Sequence, residues 1–286
     1  MDQGHIMGNK YRLGMYEKSM PNFLSIDEKL ENCKKCGFDF LEISIDETDE
    51  KLARLDYNDE KINEIRRSIE KTGVSIDTMC LSGHRKYPLG SMEHEKRSLE
   101  IMSKAIVFAK KLGVRIIQLA GYDVYYEKSD DETRNRFIKN LETAVLMASK
   151  EGIVLGFETM ETPFMDTVEK AMEYVNYIDS PYLNVYPDVG NLTNASKVYG
   201  NDLWLDIKKG KGKIVAAHLK ETIPNHYREI EFGKGHVDFV KCIDTLKMLK
   251  VNMFVGEFWY VGQDNWQEVC METNLFLRDK LDKVFK

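Results

Sequence analysis

What most limits the folds open to this chain is an alternation. From Tyr11 onward, eight short apolar runs are separated by amphipathic stretches of helical period. The runs are YRLGMYE, FDFLEISID, VSIDTMCLS, VRIIQLAG, IVLGFETME, LNVYPDVGN, IVAAHLKE and MFVGEFW. Helices are expected between them, from about Ser25 to Cys36, Asn58 to Lys71, His94 to Leu112, through Lys150, Asp166 to Tyr177, Asp202 to Lys208, Val237 to Leu249 and Trp266 to Val284. Ser25 and Glu28 read as a capping box and Gly73 as a helix stop. Strict β–α repetition has two familiar solutions, the closed parallel barrel and the doubly wound open sheet. The open sheet usually carries a Gly-rich phosphate turn after its first strand, and none is present there. The glycines near Gly210 and Gly233 lack a strand before, a helix after and a trailing Lys-Ser/Thr, so they read as turn glycines. With no linker or break in composition, we expect a single-domain α/β chain, a (β/α)8 TIM barrel over residues 11–286. It follows a polar extension at 1–10, disordered or left by cloning.

All strands of such a barrel finish at one face, the face that carries function. Glu158 ends the fifth run, Asp188 the sixth, His218 lies near the end of the seventh and Glu257 near the end of the eighth. Three carboxylates and one imidazole form a hard O/N donor set suited to one divalent ion, Mn²⁺, Mg²⁺, Co²⁺ or Zn²⁺. Such an ion also relieves the repulsion among carboxylates held close together. For an anionic part of a substrate, the candidates are His84 and Arg85 in the loop after the third run and Lys220 just beyond His218. Asn191, three residues after Asp188, is placed to bond a hydroxyl. Tyr16 and Glu17 end the first run as weaker candidates, and Tyr122, Tyr125 and Tyr126 are expected to wall the pocket.

Composition removes several classes. The net charge of −6 argues against a nucleic-acid partner, which clustered Lys and Arg would attract. No apolar run approaches the roughly 20 residues that span a bilayer, and the polar start is not a signal peptide. Five scattered cysteines fit a reducing cytoplasm. Cys33 and Cys36 form a CxxC at the end of an expected helix, whereas a redox pair opens one, so they read as packing.

The strings GMYEKSMP, GFDFLEISIDETDEKLARLDY, MCLSGHRKYPLGS, IQLAGYDVYYE, YPDVGNL and FGKGHVDF resemble those of the L-ribulose-5-phosphate 3-epimerase (L-xylulose-5-phosphate 3-epimerase) family of L-ascorbate and pentose catabolism. That family belongs to the xylose-isomerase-like barrels, and the resemblance runs from about Tyr11 to the final helix. It implies a metal bound by Glu158, Asp188, His218 and Glu257, with the two glutamates also serving as acid and base. It further implies a phosphorylated ketopentose as substrate and a homodimer. Asn191 departs from some related ketose epimerases for free sugars, which have a His there. Aldose–ketose isomerisation shares the metal and the enediolate and is the nearest alternative. A metal-dependent phosphodiesterase would need more rim histidines than a chain with six His offers, and a non-catalytic binding barrel need not keep both Glu158 and Glu257.

Overall fold

Each apolar run forms a strand, and all eight join one parallel sheet. The strands are β1 (Arg12–Tyr16), β2 (Phe40–Ser44), β3 (Ser75–Leu81), β4 (Ile116–Ala120), β5 (Val154–Glu158), β6 (Leu183–Val185), β7 (Ala217–Leu219) and β8 (Met253–Gly256). Their order is β6-β5-β4-β3-β2-β1-β8-β7. Parallel bridges from Val185 to Ile214 and from Asp188 to His218 join the two ends of that order, so the sheet curls back on itself. This computed structural model describes residues 10–286; residues 1–9 of the expected extension lie outside the described residues.

Ten α-helices occur among the described residues: α1 (Ile26–Lys35), α2 (Asp49–Ala53), α3 (Asp59–Thr72), α4 (Glu95–Leu112), α5 (Asp131–Glu151), α6 (Val168–Ile178), α7 (Val189–Tyr199), α8 (Leu203–Lys209), α9 (Phe239–Met248) and α10 (Trp266–Val284). The local signals act as read. Ser25 and Glu28 form the capping box of α1, and Gly73 stops α3 at a left-handed φ of 72°. The helices α2 and α7 were not expected. The sixth run was read as one strand through Asn191, but Pro187 has no N–H for a ladder and pairing within the sheet ends at Val185. Asp188 instead caps α7, its Oδ1 accepting from the Asn191 N–H at 2.7 Å.

Strand side chains divide the apolar interior in two. One set packs outward beneath the helices, while Tyr16, Phe40, Cys80, Tyr186, Ala216 and Val255 fill the barrel itself. Gly14 is needed there, because a Cβ at that position would overlap the Phe40 ring. Cys33 and Cys36 are buried free thiols, and no helix among the described residues is long and apolar enough to cross a membrane.

Glu17 corrects one expectation. It does not face the rim but is fully buried, with Lys29 at 2.7 Å, Arg54 at 2.8 Å, Lys51 and the Ser44 N–H all on its carboxylate. Burial alone would raise this carboxyl, but the three cations hold it far below the ordinary 4.5. Removing the anion leaves buried cations uncompensated, so Glu17→Gln should destabilise the fold by about 3–5 kcal/mol at pH 7. Because the folded value is depressed, the contribution is full above pH 4.5 and fades as pH falls through the folded value. Urea midpoints at pH 7 and pH 3 should therefore show the gap between variant and wild type narrowing in acid; equal midpoints at pH 7 would refute this role.

Candidate metal centre

The barrel brings Glu158, Asp188, His218 and Glu257 to one point. One donor atom from each lies within 4.8 Å of the others, and all four residues are buried. His218 Nδ1 sits 3.4 Å from Glu158 Oε1, 3.3 Å from Glu257 Oε2 and 3.9 Å from Asp188 Oδ2. The Lys220 ammonium joins them, 3.1 Å from Asp188 Oδ2 and 3.2 Å from Glu257 Oε2.

Such crowding shifts every proton equilibrium. Burial and the charge of Glu257 raise Glu158, and burial lifts Asp188 to about 8 in spite of Lys220. Burial pulls Glu257 the same way, but Lys220 and His218 outweigh it and hold that carboxyl well below its usual range. His218 is carried well above its ordinary value by Glu42 and Glu257, against the effect of burial. Two carboxylate oxygens, Asp188 Oδ2 and Glu257 Oε2, are buried and make no well-aligned hydrogen bond, with the Lys220 ammonium standing near both. Three carboxylates gathered at one imidazole nitrogen carry more negative charge than one ammonium offsets, which fits a divalent cation as a further partner. The O/N donor set fits the same ion.

The chain as a whole is similar to known proteins. The family model described as "Xylose isomerase-like TIM barrel" matches residues 30–279. The L-ribulose-5-phosphate 3-epimerase UlaE of Escherichia coli (strain SMS-3-5 / SECEC) is 44% identical over 244 residues, 85% of this chain and 84% of that protein. The chain belongs to the L-ribulose-5-phosphate 3-epimerase family. Two solved structures share the fold at lower identity. A D-tagatose 3-epimerase-like protein superposes with a TM-score of 0.78 at 18% identity, covering 96% of this chain and 98% of its own. An L-ribulose 3-epimerase superposes at 0.75 and 17%, covering 96% and 95%.

In this member of the L-ribulose-5-phosphate 3-epimerase family, a narrow cavity of about 50 Å³ opens onto Glu158 and Glu257. A larger groove of about 660 Å³ lies between α1 and α3 and touches none of the four clustered residues. The narrow cavity is lined by Arg85, Asn191 and Lys220, and also by Tyr16, Lys18 and Arg228. Asn191 donates its amide to the Thr159 carbonyl at 2.7 Å, leaving Oδ1 buried and unpartnered. Arg85 stacks on Tyr125, its guanidinium carbon 4.9 Å from the ring centre, with Nε buried and unpartnered.

One expected anion contact is corrected. His84 is buried and does not line this cavity; its Nε2 lies 3.1 Å from the Ser98 carbonyl, and burial lowers its pKa to about 4, so it is neutral. Lys220 lines the cavity, where its ammonium also pairs with Asp188 and Glu257. Tyr126 is exposed and bonds Glu47, so it does not wall the site. Glu42, Lys18 and Arg228 were missed. Glu42 shares its run with Asp39, Ser44 and Asp46, so nothing set it apart as buried, and Lys18 and Arg228 lie in polar segments.

Proposed function

We propose that the chain interconverts L-ribulose 5-phosphate and L-xylulose 5-phosphate by inverting C3. The observation that carries this reading is that Glu158 and Glu257, two carboxylates suited to proton transfer, border one buried donor cluster at the floor of the cavity. In a 2-ketopentose the C3 hydrogen is α to the carbonyl, so one carboxylate can remove it to leave a planar enediolate. The other glutamate then returns a proton to the opposite face, and each such transfer contributes roughly 10²–10⁴-fold. Reversibility requires both residues in both roles. Glu158, Asp188, His218 and Glu257 would hold a divalent cation, Mn²⁺, Mg²⁺, Co²⁺ or Zn²⁺, whose Lewis acidity lowers the cost of negative charge on substrate oxygens by several kcal/mol. The unpartnered Asn191 Oδ1 is placed to accept from a sugar hydroxyl.

For the phosphate we propose Arg85. Lys18 pairs with Asp46 at 2.6 Å and Arg228 with Glu161 at 3.0 Å, whereas Arg85 has no carboxylate partner among the described residues. A charge-assisted bond of about 1.5–3 kcal/mol predicts a roughly 10- to 100-fold fall in kcat/KM for Arg85→Ala, mostly through KM. Turnover of unphosphorylated L-ribulose should change little; an equal loss on both sugars would remove Arg85 from the phosphate. A cytoplasmic location and the homodimer that the family resemblance implies belong to the same proposal, and the mass from sedimentation equilibrium in the analytical ultracentrifuge tests the assembly. The reaction itself is tested by ¹³C NMR of L-ribulose 5-phosphate with Mg²⁺-loaded protein. Signals of the xylulose epimer support the reading, and an aldose product would favour isomerisation.

A further inference from the structure

Below the four clustered residues lies a fifth buried group, Glu42, which the proposed proton transfers do not use. It stands on β2 with no exposed surface, and its Oε1 is 2.6 Å from His218 Nε2. Its other oxygen accepts from Thr78 Oγ1 at 2.7 Å and from the Tyr186 hydroxyl at 2.8 Å. The Tyr186 ring also packs edge-on against the imidazole, their centres 5.1 Å apart. Three strands and the residue just after β6 thus fix one carboxylate against one imidazole edge. A cation takes the neutral imidazole, which has one N–H and one lone pair, and in that form the nitrogen that meets the carboxylate keeps the hydrogen. That leaves the lone pair on Nδ1, the nitrogen facing Glu158, Asp188 and Glu257. Gln118 does not compete for it. Its amide nitrogen is 3.2 Å from Nδ1 and 3.4 Å from Nε2, near-equal distances that place it over the ring rather than along a lone pair.

We propose that Glu42 is a positioning residue that holds His218 in its Nε2–H form, so that Nδ1 is the nitrogen offered to a divalent cation. The inference rests on the metal reading of the cluster and not on which sugar is turned over. It joins β2 to β7 across the barrel interior, and it accounts for an acid that would otherwise be buried at a cost. Partners of this kind commonly contribute 10- to 100-fold to metal affinity.

The test is Zn²⁺ affinity measured without substrate, by competition with a chromophoric chelator. Glu42→Gln should bind Zn²⁺ 10- to 100-fold more weakly than wild type. In the Zn²⁺-loaded wild type, ¹⁵N-detected NMR should show His218 protonated at Nε2 alone, with that proton protected from exchange. In Glu42→Gln the protection should be lost, which a purely structural role would not produce. Wild-type affinity with an unchanged imidazole spectrum would overturn the proposal. Should Glu42→Gln not fold, Tyr186→Phe decides, because it keeps the ring and frees only the Glu42 oxygen turned away from His218. A smaller weakening of Zn²⁺ binding is then expected, and none would overturn the proposal. Failure of the wild type itself to bind Zn²⁺ would instead refute the metal reading, and a metal-binding protein inactive on pentulose phosphates would refute only the substrate.

Discussion

Glu257→Gln is expected to abolish net C3 epimerisation, and Glu158→Gln to do the same. Each replacement removes one of two proton carriers, a loss of roughly 10²–10⁴-fold before any effect on the metal. A two-carboxylate mechanism predicts more than inactivity. Each glutamate addresses one face of the enediolate, so each variant should still exchange the C3 hydrogen of one epimer with solvent while failing to invert it. The two variants should differ in which epimer they label. Glu257 is also paired with Lys220, so its loss additionally unbalances that ammonium. Exchange of both epimers by one variant, or more than a tenth of wild-type turnover in either, would contradict the pairing of roles.

Removing the divalent ion with a chelator should lower turnover by about 10³-fold or more, because several kcal/mol of charge stabilisation are lost and each 1.36 kcal/mol is tenfold. Re-addition of Mn²⁺, Mg²⁺, Co²⁺ or Zn²⁺ should restore it. Three carboxylates crowded about His218 Nδ1, with one ammonium between two of them, give the reason. Without a cation, burial first and the neighbouring carboxylates second favour protons on Asp188 and Glu158. With one bound, those protons leave. His218→Ala should abolish the restoration, because it deletes the only nitrogen of the set. The ion should also raise the melting temperature, by about 2.7 kcal/mol of stabilisation at 100 times its Kd. Full activity of protein shown metal-free by mass spectrometry would exclude this role.

The barrel was legible because each strand carries its own apolar run and each expected helix its own period, both local signals. The convergence of Glu158, Asp188, His218 and Glu257 followed from the rule that parallel strands end at one face. The same rule misled at Glu17, another acid at a strand end. Its partners Lys29, Lys51 and Arg54 lie 12 to 37 residues away, and no spacing pattern reveals that they fold over it. His84 failed for a similar reason: a polar loop residue turned inward onto Ser98 of α4. Glu42 was hidden by alternation, since an acid within a strand reads as solvent-facing until a closed barrel buries both faces. At Asp188, Pro187 marked the end of pairing, but the helix-capping role of the acid was masked by the apolar residues on either side.

The account turns on whether one buried cluster moves a proton at C3. L-ribulose 5-phosphate incubated with the Mg²⁺-loaded protein in D₂O and followed by ¹H NMR tests this most directly. Deuterium should enter at C3 and appear in both the ribulose and xylulose epimers. Deuterium at C1 with an aldose product, or epimerisation with the original C3 hydrogen retained, would contradict it.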